Sequence, residues 1–284
     1  MDKNKKRKRS ILLPLVIIGC IIGLIYIVVN DGFNEELRIT NYTIKSDKVK
    51  EDIKIVQISD LHATGYGEKQ SVLIDEIKQQ EPDLIFITGD IMDEDSSIEN
   101  VGYLLSGIKN LAPIYYVTGN HEYWDSKMDD LIRLLRQNNV IWLVDENRRI
   151  EVNGNIVNVS GLDDSEGYYY WGRSTTSEER LNNIQFNDKY LSLLLSHRPE
   201  LAALYQESNF DIIFTGHAHG GQVRIPFILN GIIAPNQGFL PQYTKGIYEL
   251  DNNTKMVVST GLASNYIPRV FNNPELVVVT ITRQ

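Results

Sequence analysis

Three short apolar runs constrain this chain more than any other feature, because each ends in a polar motif and is followed by a stretch of helical period. Ile53–Ile58 ends at Ser59-Asp60, Leu84–Thr88 at Gly89-Asp90, and Ile114–Val117 at Gly119-Asn120-His121. After the first comes Ser71–Gln80, with Val72, Leu73, Ile74 and Ile77 on one side and Pro82 as its stop. Ile98–Lys109 follows the second, and Met128–Asn138, with Leu131, Ile132, Leu134 and Leu135, the third. Strand, loop and helix repeated three times predict an α/β fold with neighbouring parallel strands. The carboxyl ends of such strands meet at one edge of the sheet, where ligands bind. Asp60, Asp90 and Asn120 are then expected side by side, although about 30 residues separate each from the next.

The second half is richer in strands. Leu37–Ile44 reads as an early strand, and Ile141–Val144, Arg149–Val152 and Ile156–Ser160 as later ones. Leu191–Leu195 leads into Ser196-His197, and Asp211–Thr215 into Gly216-His217-Ala218-His219. Gly246–Leu250, Lys255–Thr260 and Leu276–Ile281 are expected as late antiparallel strands. Asp163–Ser177, aromatic and polar without periodicity, reads as a long loop over the site, with Tyr168–Trp171 either an amphipathic lip or a packed loop.

All five histidines, His62, His121, His197, His217 and His219, fall directly after these apolar runs. Imidazole nitrogens and carboxylate oxygens are ligands for zinc, iron and manganese. Each motif alone has an ordinary reading as a cap, a turn or a core histidine. Their joint order, using every histidine, points to two metal ions, the arrangement that neutralises charge and supplies a strong nucleophile in phosphate-ester hydrolysis.

The N-terminus has a different character. Residues 11–29 are a run of 19 uncharged residues, long enough as a helix to cross a hydrocarbon core of roughly 30 Å. Residues 1–9 carry six bases and one acid, so the positive-inside rule places the tail 1–10 in the cytoplasm and the body outside the cell membrane. A cleaved signal peptide and lipidation at Cys20, in Ile17-Ile18-Gly19-Cys20, are the other two readings, and each also exports the body. A linker over 30–36 and one domain over 37–284 complete the division. Of 28 bases and 37 acids the chain beyond residue 9 keeps 22 and 36, a net charge of −14, which argues against long nucleic acid as a partner. With Cys20 the single cysteine, no disulfide framework exists within the chain.

Asp60-x-His62, Gly89-Asp90-x-x-Asp93, Gly119-Asn120-His121-Glu122, His197 and Gly216-His217-x-His219 resemble, in order, the signature of the calcineurin-like metallophosphoesterases. Ser196-His197-Arg198-Pro199-Glu200, residues 216–222 and Asn272–Leu276 are similar to a membrane-associated bacterial branch typified by the phosphodiesterases YaeI and YkuE. The resemblance implies a four-layer α/β/β/α sandwich with a dinuclear site of Mn, Zn or Fe at one edge. It implies that Asp60, His62, Asp90 and His219 hold one ion and that Asp90, Asn120, His197 and His217 hold the other, Asp90 bridging. His121 would bind no metal but protonate the leaving oxygen, while a metal-bridging hydroxide attacks phosphorus. Asp93 is a candidate for bracing a ligand histidine or capping a helix, Glu122 for orienting His121 or bonding a loop amide, and Arg198, which also reads as a surface arginine, and Arg269 for reaching substrate. The implied substrate is a phosphodiester or pyrophosphate, lipid-linked or derived from the cell envelope. A UDP-2,3-diacylglucosamine pyrophosphatase and a metal-loaded binding module without turnover are the alternatives.

Overall fold

The structure, a computed structural model, describes residues 28–94, 96–172, 174–263 and 268–284, with 16–23 and the single positions 14 and 26. The basic tail lies outside the described residues, and the anchor expected over 11–29 lies partly outside them. Among the described residues no helix is long and apolar enough to cross a membrane. The linker expected over 30–36 begins inside a π-helical turn, Val28–Gly32.

Two six-stranded sheets form the body. The first has the order β1 (Arg38–Ser46), β14 (Glu275–Arg283), β2 (Ile53–Ile58), β3 (Leu84–Thr88), β4 (Ile114–Val117) and β5 (Ile141–Trp142). From β2 to β5 its strands are parallel, as the repeated strand–helix pattern predicts. The second has the order β12 (Gly246–Glu249), β13 (Lys255–Val258), β9 (Ile212–Thr215), β8 (Leu191–Leu195), β7 (Asn155–Gly161) and β6 (Glu146–Val152). A separate two-stranded ribbon pairs β10 (Ile233–Ala234) with β11 (Gly238–Phe239).

Side-chain parity explains the layers. In β2 and β3, Ile53, Ile55, Leu84 and Phe86 face Val157, Leu193, Ile212 and Phe214 of the other sheet. Their even–odd neighbours Val56, Ile58, Ile85 and Ile87 face outward instead. There they pack on Leu73 and Ile77 of α1 (Ser71–Gln79), Val101, Leu104 and Leu105 of α2 (Glu99–Ile108), and Leu131 and Leu135 of a third long helix (Met128–Gln137). Both faces of these central strands are buried, which is why their sequence reads as continuous apolar runs. Leu194, Ile213, Met256 and Val258 on the far side of the second sheet bury against Leu181, Ile184, Ala202 and Tyr205. The result is helix, sheet, sheet, helix. Phe86 and Phe214 join the sheets edge to face at 5.0 Å, and buried Gln57 spans them, its Nε2 donating to Thr88 Oγ1 and to the Thr215 carbonyl.

Two expectations need correction. The late strands are not uniformly antiparallel: β12 pairs antiparallel with β13 and β14 with β2, but β13 runs parallel to β9 and β14 parallel to β1. The chain crosses from one sheet to the other between β13 and β14, so β14 inserts between β1 and β2 instead of extending a meander. Nor is 163–177 a plain loop. Ser165–Tyr170 is helical, and the Asp164 side chain caps it by accepting from Glu166 N. Thr176 and Glu179 form a capping box on the next helix, Ser177–Asn183.

Candidate metal centre

Every proposed ligand sits two to four residues past a strand. The parallel ladder continues beyond the strand ends through Asp60 N to the Gly89 carbonyl, His62 N to the Asp90 carbonyl, and Gly216 N to the His197 carbonyl, each 3.0 Å. The chain then turns sharply: Asp60, His62, Asp90, His217 and His219 all have φ between 46° and 64°. Residues other than glycine seldom occupy that left-handed region, and when they do it is often at a functional site. These turns bring the side chains together where the edges of the two sheets meet.

Two buried donor sets result. Asp60, His62 and His219 offer ligand atoms within 4.8 Å of one another, as do Asp90, His197 and His217. Asp90 Oδ2 stands between them, 3.0 Å from His197 Nε2 and 3.8 Å from His62 Nε2. His197 Nδ1 donates to the Thr88 carbonyl at 2.8 Å, which turns Nε2 toward Asp90. His217 Nδ1 faces that same Nε2 at 3.0 Å, while its own Nε2 meets Asn236 Oδ1 at 2.8 Å. Asp60 holds the His217 backbone N–H with both carboxylate oxygens, at 2.9 and 3.1 Å.

The buried ionisable groups perturb one another strongly. Burial raises the Asp60 carboxyl, and the neighbouring Asp90 charge raises it further against the pull of His197. Burial also works to raise Asp90, but the adjacent His197 outweighs it and holds Asp90 well below the usual carboxylate range. The reciprocal effect lifts His197 to about 10 despite its burial. Burial and the facing His197 push His217 down to about 3, and burial with nearby His62 pushes His219 down as well. His62 is raised: burial opposes its charge, and Asp93 and Asp90 overcome that. Among the described residues, His62 Nε2 and Asn120 Oδ1 are buried without a hydrogen-bond partner. Clustered imidazole nitrogens, two buried carboxylates and the unpartnered Asn120 oxygen are favourable together around positive charge. The mixed N/O donor set therefore fits divalent zinc, iron or manganese.

The remaining candidates fall in different places. His121 opens α3, a single turn over His121–Trp124, and lines the crevice with its Nδ1 3.0 Å from Asp93 Oδ1. Asp93 also lies 3.5 Å from His62 Nδ1, so it stands beside both rings. His62, Asp93 and His121 form a further, more open donor group. Glu122 points away from the crevice. It is fully buried and accepts from Gly119 N, Asp90 N, Ile91 N and Met92 N at 2.6–3.3 Å. Burial and Asp90 push it up to about 7 while these N–H groups pull it down; its work is to hold the Gly89-Asp90 and Gly119 loops together. Arg198 lines the crevice but is held bidentately by Asp164 at 2.7 and 3.0 Å. Arg269 is buried, donates to the carbonyls of Ala263 and Thr260, and is not among the residues that line the crevice. Asn236, Glu166 and Trp124 line the same crevice of about 270 Å³ and carry no motif that marks them in the sequence. Asn236 sits in Pro235-Asn236-Gln237-Gly238, which as a string of letters is only a turn.

Gly216 makes the close approach of the two sheet edges possible. A Cβ there would lie 1.9 Å from Ser59 Oγ and 2.3 Å from Asp60 Oδ2. Gly216→Ala is expected to lower the unfolding free energy by about 2 kcal/mol or more through overpacking. Urea unfolding checks this, and an unchanged midpoint contradicts it.

The model of the calcineurin-like phosphoesterase family matches residues 53–221, the span that carries these ligands. An uncharacterized metallophosphoesterase of Campylobacter jejuni is 29 % identical over 289 residues, covering 99 % of this chain and 72 % of the relative. A Bos taurus protein named a transmembrane protein with metallophosphoesterase domain is 31 % identical over 229 residues, covering 76 % of this chain and 50 % of the relative. The uncharacterized metallophosphoesterase YkuE of Bacillus subtilis is 28 % identical over 252 residues, covering 85 % of this chain and 84 % of the relative. The chain thus spans half the length of the bovine protein and most of the length of these two bacterial ones.

Proposed function

The chain belongs to the calcineurin-like phosphoesterase family, and on that premise we propose a membrane-anchored enzyme that hydrolyses phosphodiester or pyrophosphate bonds outside the cytoplasm. Family membership makes it a metal-dependent phosphoester hydrolase that works with two divalent ions. The observation that carries the finer reading is the pair of adjacent buried donor sets, with Asp90 of one set 3.8 Å from His62 of the other. In this reading Asp60, His62, Asp90 and His219 hold one ion, and Asp90, Asn120, His197 and His217 the other. Two such ions neutralise phosphate charge and supply a strong nucleophile at neutral pH.

The chain's own residues do the rest. Thr88 fixes the His197 tautomer through Nδ1, and Asn236 does the same for His217 through Nε2. Asp90 Oδ1 accepts from His121 N at 2.9 Å, so the carboxylate that joins the donor sets also places His121. His121, braced by Asp93 and packed edge-on against His62 at 4.5 Å, presents its ring to the crevice. It can donate a proton to the departing oxygen. The presence of His121 in that place supports turnover over a binding module.

The anchor rests on the sequence: six bases, then 19 uncharged residues. The bovine relative carries the name of a transmembrane protein, which supports it. The positive-inside rule supports an exported catalytic domain. Hydrolysis of a chromogenic phosphate bis-ester tests the enzyme reading. Turnover is expected with Mn²⁺, to vanish on chelation and to return on adding the ion back. Turnover that survives exhaustive chelation contradicts it.

A further inference from the structure

Residues 220–240 leave the metal centre, cross the surface and return to it. The excursion starts at Gly220, beside His219, and Ile225 pairs with Leu229 in a tight turn. The ribbon β10–β11 pairs Ile233 with Phe239 and carries Asn236 at its tip, 2.8 Å from His217. This is a functional position, since Pro235 and Asn236 line the crevice. Yet Phe227, Ile228, Phe239 and Leu240 expose 109, 82, 74 and 62 % of their surface. Single exposed apolar residues are ordinary, but four large ones in 14 consecutive residues, around a segment that touches the site, mark an interaction surface.

The chain itself indicates what covers them. Val223 pairs with Val270, and Arg224 N donates to the Val270 carbonyl. The next residue, Phe271, donates its N–H to the Gly32 carbonyl at 2.7 Å, and its ring lies against Gly32. Phe271 also shares one depression with Phe227 and Ile228. Gly32 is three residues from the end of the uncharged run at Val29, a reach of at most about 10 Å. A bilayer crossed by that run therefore lies against the same side of the molecule as the apolar excursion.

We propose that residues 225–240 form a membrane-docking element whose Phe227, Ile228, Phe239 and Leu240 enter the lipid interface and hold the metal centre at the bilayer surface, open to phosphoester headgroups of lipids. This rests on the reading of residues 11–29 as an anchor. The body carries a net charge of −14, so attraction to anionic lipids does not drive the contact. Apolar insertion does, so the contact is not lost when salt is raised.

The test uses the full chain with Cys20→Ser, reconstituted in phosphatidylcholine vesicles. Single cysteines at Ile228→Cys and Phe239→Cys are labelled with an environment-sensitive fluorophore. Glu51→Cys, exposed at the opposite end of the sheet before β2, is the control. Labels at 228 and 239 are expected to be quenched by doxyl-bearing lipids and shielded several-fold from aqueous iodide, with Glu51→Cys showing the reverse. Raising the salt leaves the pattern unchanged. Iodide quenching at 228 and 239 equal to that at 51 overturns the proposal, as does a chain that fails to sediment with the vesicles. Hydrolysis of the soluble chromogenic bis-ester by the Cys20→Ser chain separates the two readings. Active protein with water-exposed labels sinks the docking element alone. Inactive protein with lipid-shielded labels sinks the enzyme reading alone.

Discussion

Replacing Asp90 by alanine abolishes phosphoester hydrolysis: the expected loss is at least about a thousandfold, or roughly 4 kcal/mol of transition-state stabilisation. No other side chain takes part in as much of the centre. Its Oδ2 lies 3.0 Å from His197 and 3.8 Å from His62, one imidazole from each donor set, and its Oδ1 receives the His121 N–H. Alanine removes a ligand atom from both sets at once and releases the loop that positions His121. It also leaves His197 and His217, whose ring nitrogens face each other at 3.0 Å, without the carboxylate that balances them. The fold itself should persist, because Glu122 still ties the surrounding backbone N–H groups. Circular dichroism on the same sample establishes that. Turnover unchanged from the parent chain refutes the shared-carboxylate arrangement.

His121→Ala is expected to lower kcat by about 10²–10⁴, the range for loss of a positioned general acid. Its signature differs from that of Asp90→Ala in two ways. Bound metal should stay at the parent level, since His121 is assigned no ion. The loss should also depend on the leaving group: small for a nitrophenolate, which departs without a proton, and large for an alkoxide, which needs one. The competing arrangement is the open donor group of His62, Asp93 and His121. If His121→Ala costs a metal ion, or costs both substrates equally, the ring is a ligand and not the proton donor.

Much of this centre is legible in the amino-acid sequence, for a plain physical reason. A strand buried on both faces must be apolar, so the first polar residues after it stand out, as at Asp60, Asp90, Asn120, His197 and His217. Parallel strand order then brings those ends to one edge. Residues that act through backbone contacts are not legible in the same way. Glu122 follows His121 directly and reads equally as a partner for it or as an acceptor for a loop amide; its carboxylate takes the second role, toward four backbone N–H groups. Arg269 lies among the motifs near the C-terminus, yet its guanidinium satisfies interior carbonyls. Asn236 is reached by an excursion from the second sheet whose short ribbon has no apolar period to announce it. The helix Ser165–Tyr170 is hidden because Tyr168-Tyr169-Tyr170-Trp171 has no polar face, leaving the Asp164 cap as its one local sign.

The most direct measurement of the central claim is anomalous X-ray diffraction from crystals of the Mn²⁺-loaded chain, recorded at the manganese edge. Two peaks are expected, about 3.5–4 Å apart. One should lie among Asp60, His62 and His219, the other among Asn120, His197 and His217, with Asp90 between them. A single peak, or a second ion held by His121 and Asp93 instead of by His197 and His217, contradicts the account.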